Sequence, residues 1–300
     1  MTTFKKTFIA LCLFLLASAA FHPPAANASS QKKSLSIGIL PEMNIFKQRA
    51  RFEGVATFLS ARMGIEVKLK MLTYGNVIEK MKTGEVDGAF LGSFVGALAI
   101  SQLGAEPLAR PINMDGTSTY EGLIIARKDS NIRTIESMKG KSLALVEETT
   151  AGFVFPLAWF RQHGITDLKT YFGEQIISGS HDRAIALVLN GKADIGAVKS
   201  TVYKNMSEWQ PRIKNELMVL ANSPSVPSNG FCVSKDLSQE QKQELKDLLL
   251  NMRGYPDGRK SLEKLGAKRF VETGTELYQP VFIMAKDAGL DLEKYGVEKP

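Results

Sequence analysis

Two neighbouring threonines, Thr149 and Thr150, follow the β-rich run Ser142-Leu143-Ala144-Leu145-Val146 and precede an amphipathic stretch over residues 153–163. A strand that ends at a helix start leaves backbone N–H groups without intrahelical partners. Two hydroxyls beside them make a cradle for an anion. Simple N-capping would account for one of the two threonines. Ser180-His181-Asp182 opens a further helical stretch in the same half of the chain. Ser180 there caps the helix or donates to an oxyanion, and His181 is either a surface cap or a donor to the same anion. No catalytic set is complete. A metal-dependent phosphohydrolase needs more ligands than one His-Asp pair, and no Gly-x-Ser-x-Gly elbow occurs. The expectation is binding without chemistry and without a metal or cofactor; an exported hydrolase working through His181 and Asp182 is the enzymatic alternative.

Donors of this kind need elements to hold them. Short β-rich runs alternate with amphipathic stretches, the pattern of an α/β fold. The first pass predicts strand 35–40, helix 48–63, strand 65–71, helix 76–82, strand 86–91 and helix 94–103. The second predicts strand 142–146, helix 153–163, strand 175–177, helix 182–190 and strand 193–198. The passes echo each other. Val77 through Ala89 lies over Ala184 through Gly196 without a gap, so that Gly84 meets Gly191 and Asp87 meets Asp194. The glycines suit the left-handed backbone of a helix C-terminus, and the repeated aspartates suit a shared structural role rather than ligand contact. The same register puts Tyr74 opposite His181, two polar-tipped rings at equivalent helix starts. Two halves on one plan make two lobes with a cleft between them as the ligand site. Short runs at 218–220 and 231–233 and helices to about residue 250, over 257–265 and over 276–288 then suggest that the chain returns to complete the first lobe, with crossings near residues 121–127 and 221–230.

The N-terminus carries Lys5 and Lys6, an apolar run over residues 8–21 and the small-x-small site Ala26-Asn27-Ala28, the layout of a cleaved secretory signal peptide over 1–28. That run of about 14 residues is shorter than the ~20 that span a bilayer. Leu11 sits where a small residue would precede a lipidated Cys12, which argues against a lipoprotein. Cys232 is then the single mature cysteine, in a run that reads as a buried strand, so no intrachain disulfide is expected. The formal charge is +7, from 38 basic and 31 acidic residues. Without the leader it is about +5, scattered, with no basic run suited to nucleic acid.

Several segments in order resemble the phosphate/phosphite/phosphonate-binding proteins of bacterial ABC transporters. They are Pro107-Leu108-Ala109-Arg110-Pro111, Ser118-Thr119-Tyr120-Glu121-Gly122, Thr149-Thr150-Ala151-Gly152 with Pro156, Ser178-Gly179-Ser180-His181-Asp182, and Asn190-Gly191-Lys192-Ala193-Asp194. The resemblance implies the type II periplasmic-binding-protein fold, an α/β class with two lobes joined by two crossing segments. In it, 29–122 plus 225–300 form lobe 1 and 123–224 form lobe 2. It implies ligand-binding roles for Tyr74, Ser118, Tyr120, Thr149, Thr150 and His181. Two positions depart from the family pattern: Gly96 stands where an aromatic binding residue is usual, and Lys199 stands where many relatives carry an acid. A lysine there would repel an aminoalkyl phosphonate and favour phosphate, or a phosphonate with a second anionic group. The function implied is a periplasmic solute-binding protein, a monomer with an inner-membrane permease as partner and no nucleic acid. A soluble protein that presents its ligand to a membrane receptor is the alternative.

Overall fold

A computed structural model describes residues 32–40 and 45–296. The signal-peptide reading and Cys12 therefore fall outside the described residues. Thirteen strands are present among the described residues. In chain order they are β1 (Ser34–Ile39), β2 (Glu66–Met71), β3 (Gly88–Leu91), β4 (Glu106–Asn113), β5 (Thr119–Tyr120), β6 (Gly122–Arg127) and β7 (Ser142–Leu145). They continue as β8 (Glu174–Ile177), β9 (Ile195–Lys199), β10 (Leu217–Asn222), β11 (Val226–Pro227), β12 (Gly230–Val233) and β13 (Ala267–Glu272).

They form one six-stranded sheet in the order β13-β4-β12-β3-β1-β2 and one five-stranded sheet in the order β10-β6-β9-β7-β8. The echo in the sequence is thus an echo in topology. β1 pairs in parallel with β2 and β3, and β7 pairs in parallel with β8 and β9. In each sheet the next strand, β12 or β6, is antiparallel and comes from just beyond a crossing. The matched glycines take the same left-handed backbone, φ 71° at Gly84 and 66° at Gly191. The matched aspartates do the same work: Asp87 Oδ2 accepts from the Ser36 N–H at 2.7 Å, and Asp194 Oδ2 accepts from the Ser142 N–H at 2.9 Å and the Ser142 hydroxyl at 2.8 Å. Each carboxylate ties the start of one strand to the start of its neighbour.

The crossings are shorter than the sequence suggested. Gly122–Arg127 lies wholly in the five-stranded sheet, antiparallel to both β9 and β10. The link is the two-residue pairing of β5 with β11, Tyr120 opposite Val226 and Thr119 opposite Pro227. Ser223 seals it: its N–H donates to the Gly122 carbonyl at 2.9 Å, and its hydroxyl accepts from the Gly122 N–H at 2.8 Å.

One face of the six-stranded sheet buries Phe58, Phe90, Phe231 and Phe270, and one face of the five-stranded sheet buries Ile125, Ile185 and Val188. The opposite faces share a single continuous core, in which Val77 and Phe94 of the first half join Phe155 and Phe160 of the second. Helix Gln279–Asp287 belongs to that core, touching both Ser93–Leu103 and Phe155–Gln162. The returning tail therefore completes the first sheet with β12 and β13, and its last helix leans on both halves. No helix among the described residues is long and apolar enough to cross a membrane. Removing the Asp194 carboxylate leaves the Ser142 N–H without its acceptor. We expect Asp194→Ala to lower stability by about 1–3 kcal/mol in urea denaturation, with ligand affinity unchanged.

Candidate anion-binding site

Parallel strands followed by helices deliver their helix starts to one edge of the sheet, and in this chain the two edges face each other. Between them lies a cleft of ≈ 1340 Å³. Tyr74 reaches it from the turn after β2, Ser93 from the turn after β3, and Thr149 and Thr150 from the turn after β7. Ser180 and His181 come from the turn after β8, Lys199 from the end of β9, and Tyr120 from the link. Seven of the eight side chains singled out in the sequence thus line one hollow. Ser118 does not: its carbonyl accepts from the Ser228 N–H at 2.9 Å across the link, and Ser228 and Asn229 line the cleft beside it.

The two threonines divide their work. Thr149 is the N-cap: its hydroxyl donates to the Val146 carbonyl at 2.8 Å and accepts from the Gly152 N–H at 3.0 Å. Thr150 opens a turn of π-helix, Thr150–Val154, that runs into the α-helix Phe155–Gln162. A π-turn is wider than an α-turn and is often found where backbone groups face a ligand. The residue before the cap, Glu148, holds φ at 57°, a left-handed backbone rare for a side chain of that type.

Thr150 is buried, and its Oγ1 lies 2.8 Å from the Oγ of Ser93, whose other neighbour is the Tyr120 Oη at 2.5 Å. Three hydroxyls, one from each half and one from the link, form a chain along the cleft floor. Ser93 escaped the sequence reading, although the signal was present. Carried four residues past Ala89 and Gly196, the gapless register lays Ser93 on Ser200, and each follows its strand to start a helix. The two serines also bind consecutive residues of the link: Ser93 bonds the Tyr120 hydroxyl, and Ser200 exchanges bonds with the Glu121 backbone.

Ser180 makes no cap bond to its helix, so its hydroxyl is left to the cleft. His181 is half-buried, and its Nδ1 is shielded from solvent with no hydrogen-bond partner. Burial first, then the Lys199 ammonium, push its imidazole down to about 3, against a smaller upward pull from Asp182. At neutral pH it is uncharged, with one ring nitrogen able to donate. Lys199 Nζ stands 4.5 Å from the centroid of the Tyr120 ring, a cation–π contact with the ring that carries one hydroxyl of the chain. Glu147, Glu148 and Asp182 bring carboxylates to the same cleft.

Gly96 has a packing cause. A Cβ there would lie 2.7 Å from the Cε1 of Tyr278, whose fully buried ring fills the space beside it. The Tyr278 hydroxyl sits 3.7 Å from the Cys232 sulfur, and burial pushes that thiol up to about 12, so it is an inert core group.

The two sheets, the paired link and the cleft between them define a protein of the type II periplasmic-binding-protein fold. A solved example from Prochlorococcus marinus, described as PhnD1 in complex with methylphosphonate, superposes with a TM-score of 0.70 at 24% identity, covering 86% of this chain and 98% of that one. The chain belongs to the family described as "ABC transporter, phosphonate, periplasmic substrate-binding protein", which matches residues 37–278. Among its relatives are a probable ABC transporter phosphite binding protein of Prochlorococcus marinus, 25% identical over 84% of this chain and 89% of that protein, and a phosphate-import protein of Mycolicibacterium smegmatis, 26% identical over 81% and 80%.

A histidine held below its unfolded value of about 6.5 stabilises the fold above that pH, and this contribution is lost as pH falls through 6.5 toward 3. For the ligand-free protein we expect stability to drop by about 1–2 kcal/mol between pH 7 and pH 5 from this group alone. Thermal unfolding across that range should show a shallower fall in His181→Gln.

Proposed function

We propose that the chain is the periplasmic solute-binding protein of an ABC importer and that it holds a phosphorus oxyanion in the cleft, without chemistry of its own. The observation that carries this reading is the convergence of Ser93, Tyr120, Thr150 and His181, with Lys199 beside them, on one hollow between the two sheets. Hydroxyl and amide donors suit an oxyanion losing its hydration, because charge-assisted hydrogen bonds replace the lost water. Helix starts add the positive end of their dipoles. The phosphite, phosphate and methylphosphonate in the descriptions of the related proteins share this tetrahedral phosphorus centre.

In this reading 29–122 plus 225–300 and 123–224 are the two lobes, flexing at the β5–β11 link. Ligand bridges donors on both sides and favours the closed arrangement, which an inner-membrane permease then recognises. The protein acts as a monomer, exported by a signal peptide cleaved after Ala28. Tyr74, Thr149 and Ser180 complete the ligand's surroundings, Thr149 by holding the π-turn in place and the other two by facing the anion. Lys199 favours a dianion.

Protein denatured and refolded to strip carried-over ligand should be titrated with phosphate, phosphite, methylphosphonate, sulfate and acetate. A tightly bound phosphorus oxyanion raises the unfolding midpoint, by about 4 kcal/mol of stabilisation at a thousandfold excess over Kd. Acetate leaves it unmoved. Lys199→Ala should weaken phosphate about tenfold, the effect of one charge-assisted contact. Tighter binding of 2-aminoethylphosphonate than of phosphate would remove Lys199 as the selecting charge, and the absence of binding by any phosphorus oxyanion would end the proposal.

A further inference from the structure

The hydroxyl chain on the cleft floor fixes how many protons it can offer a ligand. Tyr120, Ser93 and Thr150 carry three O–H protons, and two hydrogen bonds join them, Oη to Oγ at 2.5 Å and Oγ to Oγ1 at 2.8 Å. Ser93 can donate toward Tyr120 and accept from Thr150, donate toward Thr150 and accept from Tyr120, or accept from both. In each arrangement the two internal bonds use two protons and leave one. All three groups are nearly fully buried, at 6%, 1% and 1% exposure in that order, and all line the cleft, so water has little room to relieve the shortage. Three hydroxyls that look like three donors therefore act as one donor accompanied by free lone pairs.

We infer that this chain selects an oxyanion that still carries a hydroxyl on phosphorus, with Ser93 as the residue that sets the selection; the inference rests on the oxyanion reading of the cleft. A hydrogen phosphate presents charged oxygens to the single free proton and its own P–OH to a free lone pair on the chain. A fully deprotonated tetrahedral anion of the same size, such as sulfate, meets the single donor but leaves a buried lone pair facing one of its oxygens, an arrangement that repels. Ser93→Ala removes both internal bonds at once. Tyr120 and Thr150 then each hold a free proton, and the floor changes from one donor to two. The substitution thus does more than delete a contact: it reverses which kind of anion the floor suits.

Monofluorophosphate is the decisive probe, because fluorine replaces the hydroxyl with little change of size while the charge stays the same. At about pH 8 both it and phosphate are dianions. Calorimetric titration of the refolded protein should give hydrogen phosphate an affinity at least about tenfold higher than monofluorophosphate, with sulfate weaker still. In Ser93→Ala the phosphate-to-monofluorophosphate ratio should fall toward one. A merely structural Ser93 would weaken all three anions by a common factor and keep the ratio, as would a cleft in which Glu147, Glu148 or Asp182 takes the P–OH proton instead; either result overturns the inference. Equal wild-type affinity for phosphate and monofluorophosphate overturns it as well, and this measurement stands even where Ser93→Ala fails to fold. If neither phosphate nor methylphosphonate binds, the oxyanion reading itself fails, a different outcome from binding with a ratio of one.

Discussion

A helix that follows a parallel strand begins with amide protons it cannot bond internally, and a parallel sheet collects such starts along one edge. The rest of the molecule follows from that geometry. In the six-stranded sheet the edge carries the turns before Val77–Lys82 and Ser93–Leu103; in the five-stranded sheet it carries those before the π-turn at Thr150, before His181–Leu189 and before Ser200–Trp209. One such edge alone would be a shallow, hydrated surface. Two of them facing across a hollow can strip an anion of water and return as many hydrogen bonds as it loses, and this is why a repeated half serves the purpose. Donors at such helix starts are backbone and hydroxyl groups held by the strands beneath them rather than by long flexible side chains, so an anion bound there would cost little conformational entropy.

The two edges have to be held in register without being fused. The β5–β11 pairing is only two residues long, yet each sheet grips it through an equivalent serine, Ser93 at Tyr120 and Ser200 at Glu121. The link and the cleft floor therefore share atoms. A second connection lies behind the cleft. Phe94, Phe153 and Tyr295 meet there, the Phe94 and Tyr295 rings edge to face at 5.2 Å, and Gln102 donates to the carbonyls of Leu292 and Tyr295 at 2.7 and 2.9 Å. The helix at 279–287 packs on both halves at the same place. Any rotation about the link would have to slide or part this apolar contact.

Much of this architecture was legible in the residues because burial and turn chemistry leave periodic marks. Gly84 and Gly191, Asp87 and Asp194, and the alternation of apolar strands with amphipathic helices all record local rules. What stayed hidden depends on contacts across long sequence distances. β4 is a central strand bearing Pro107 and Pro111, residues that normally argue against such a place. Its pairing with β12 shifts register beside Pro107, between Phe231 and Cys232, while Pro111 lies opposite Phe270 in a regular stretch of the β13 ladder. β13, with Lys268 and Arg269 exposed, lacks the apolar run that would announce a strand. The helix expected from Phe153 starts earlier, as a π-turn that no residue pattern signals. Gly96 looked like a lost binding aromatic, whereas Tyr278, far along the chain, occupies its space. That Thr149 caps the helix while Thr150 joins the hydroxyl chain turns on one carbonyl, that of Val146, which the sequence cannot position.

Charge is a poorer guide to this site than hydrogen bonding. Of the cations lining the cleft, Arg51 is tied to the Leu265 carbonyl through its guanidinium, which leaves Lys199 as the cation among the described residues with no such tie. Carboxylates line it too, at Glu147, Glu148, Asp182, Glu208 and Asp115, the last bonded by Thr117 and paired with Lys204 at 3.3 Å. A site that worked by net potential would not be lined this way. Carboxylates at a distance cost little in a hydrated mouth, where the dielectric is high, while donors in contact act over a few ångströms in a nearly dry floor, where each bond is strong. Glu147, Asp182 and Glu208 are exposed, while Ser93, Tyr120 and Thr150 are buried. In the proposed site the hydroxyl chain would select by proton count, and Lys199 would add the preference for a dianion.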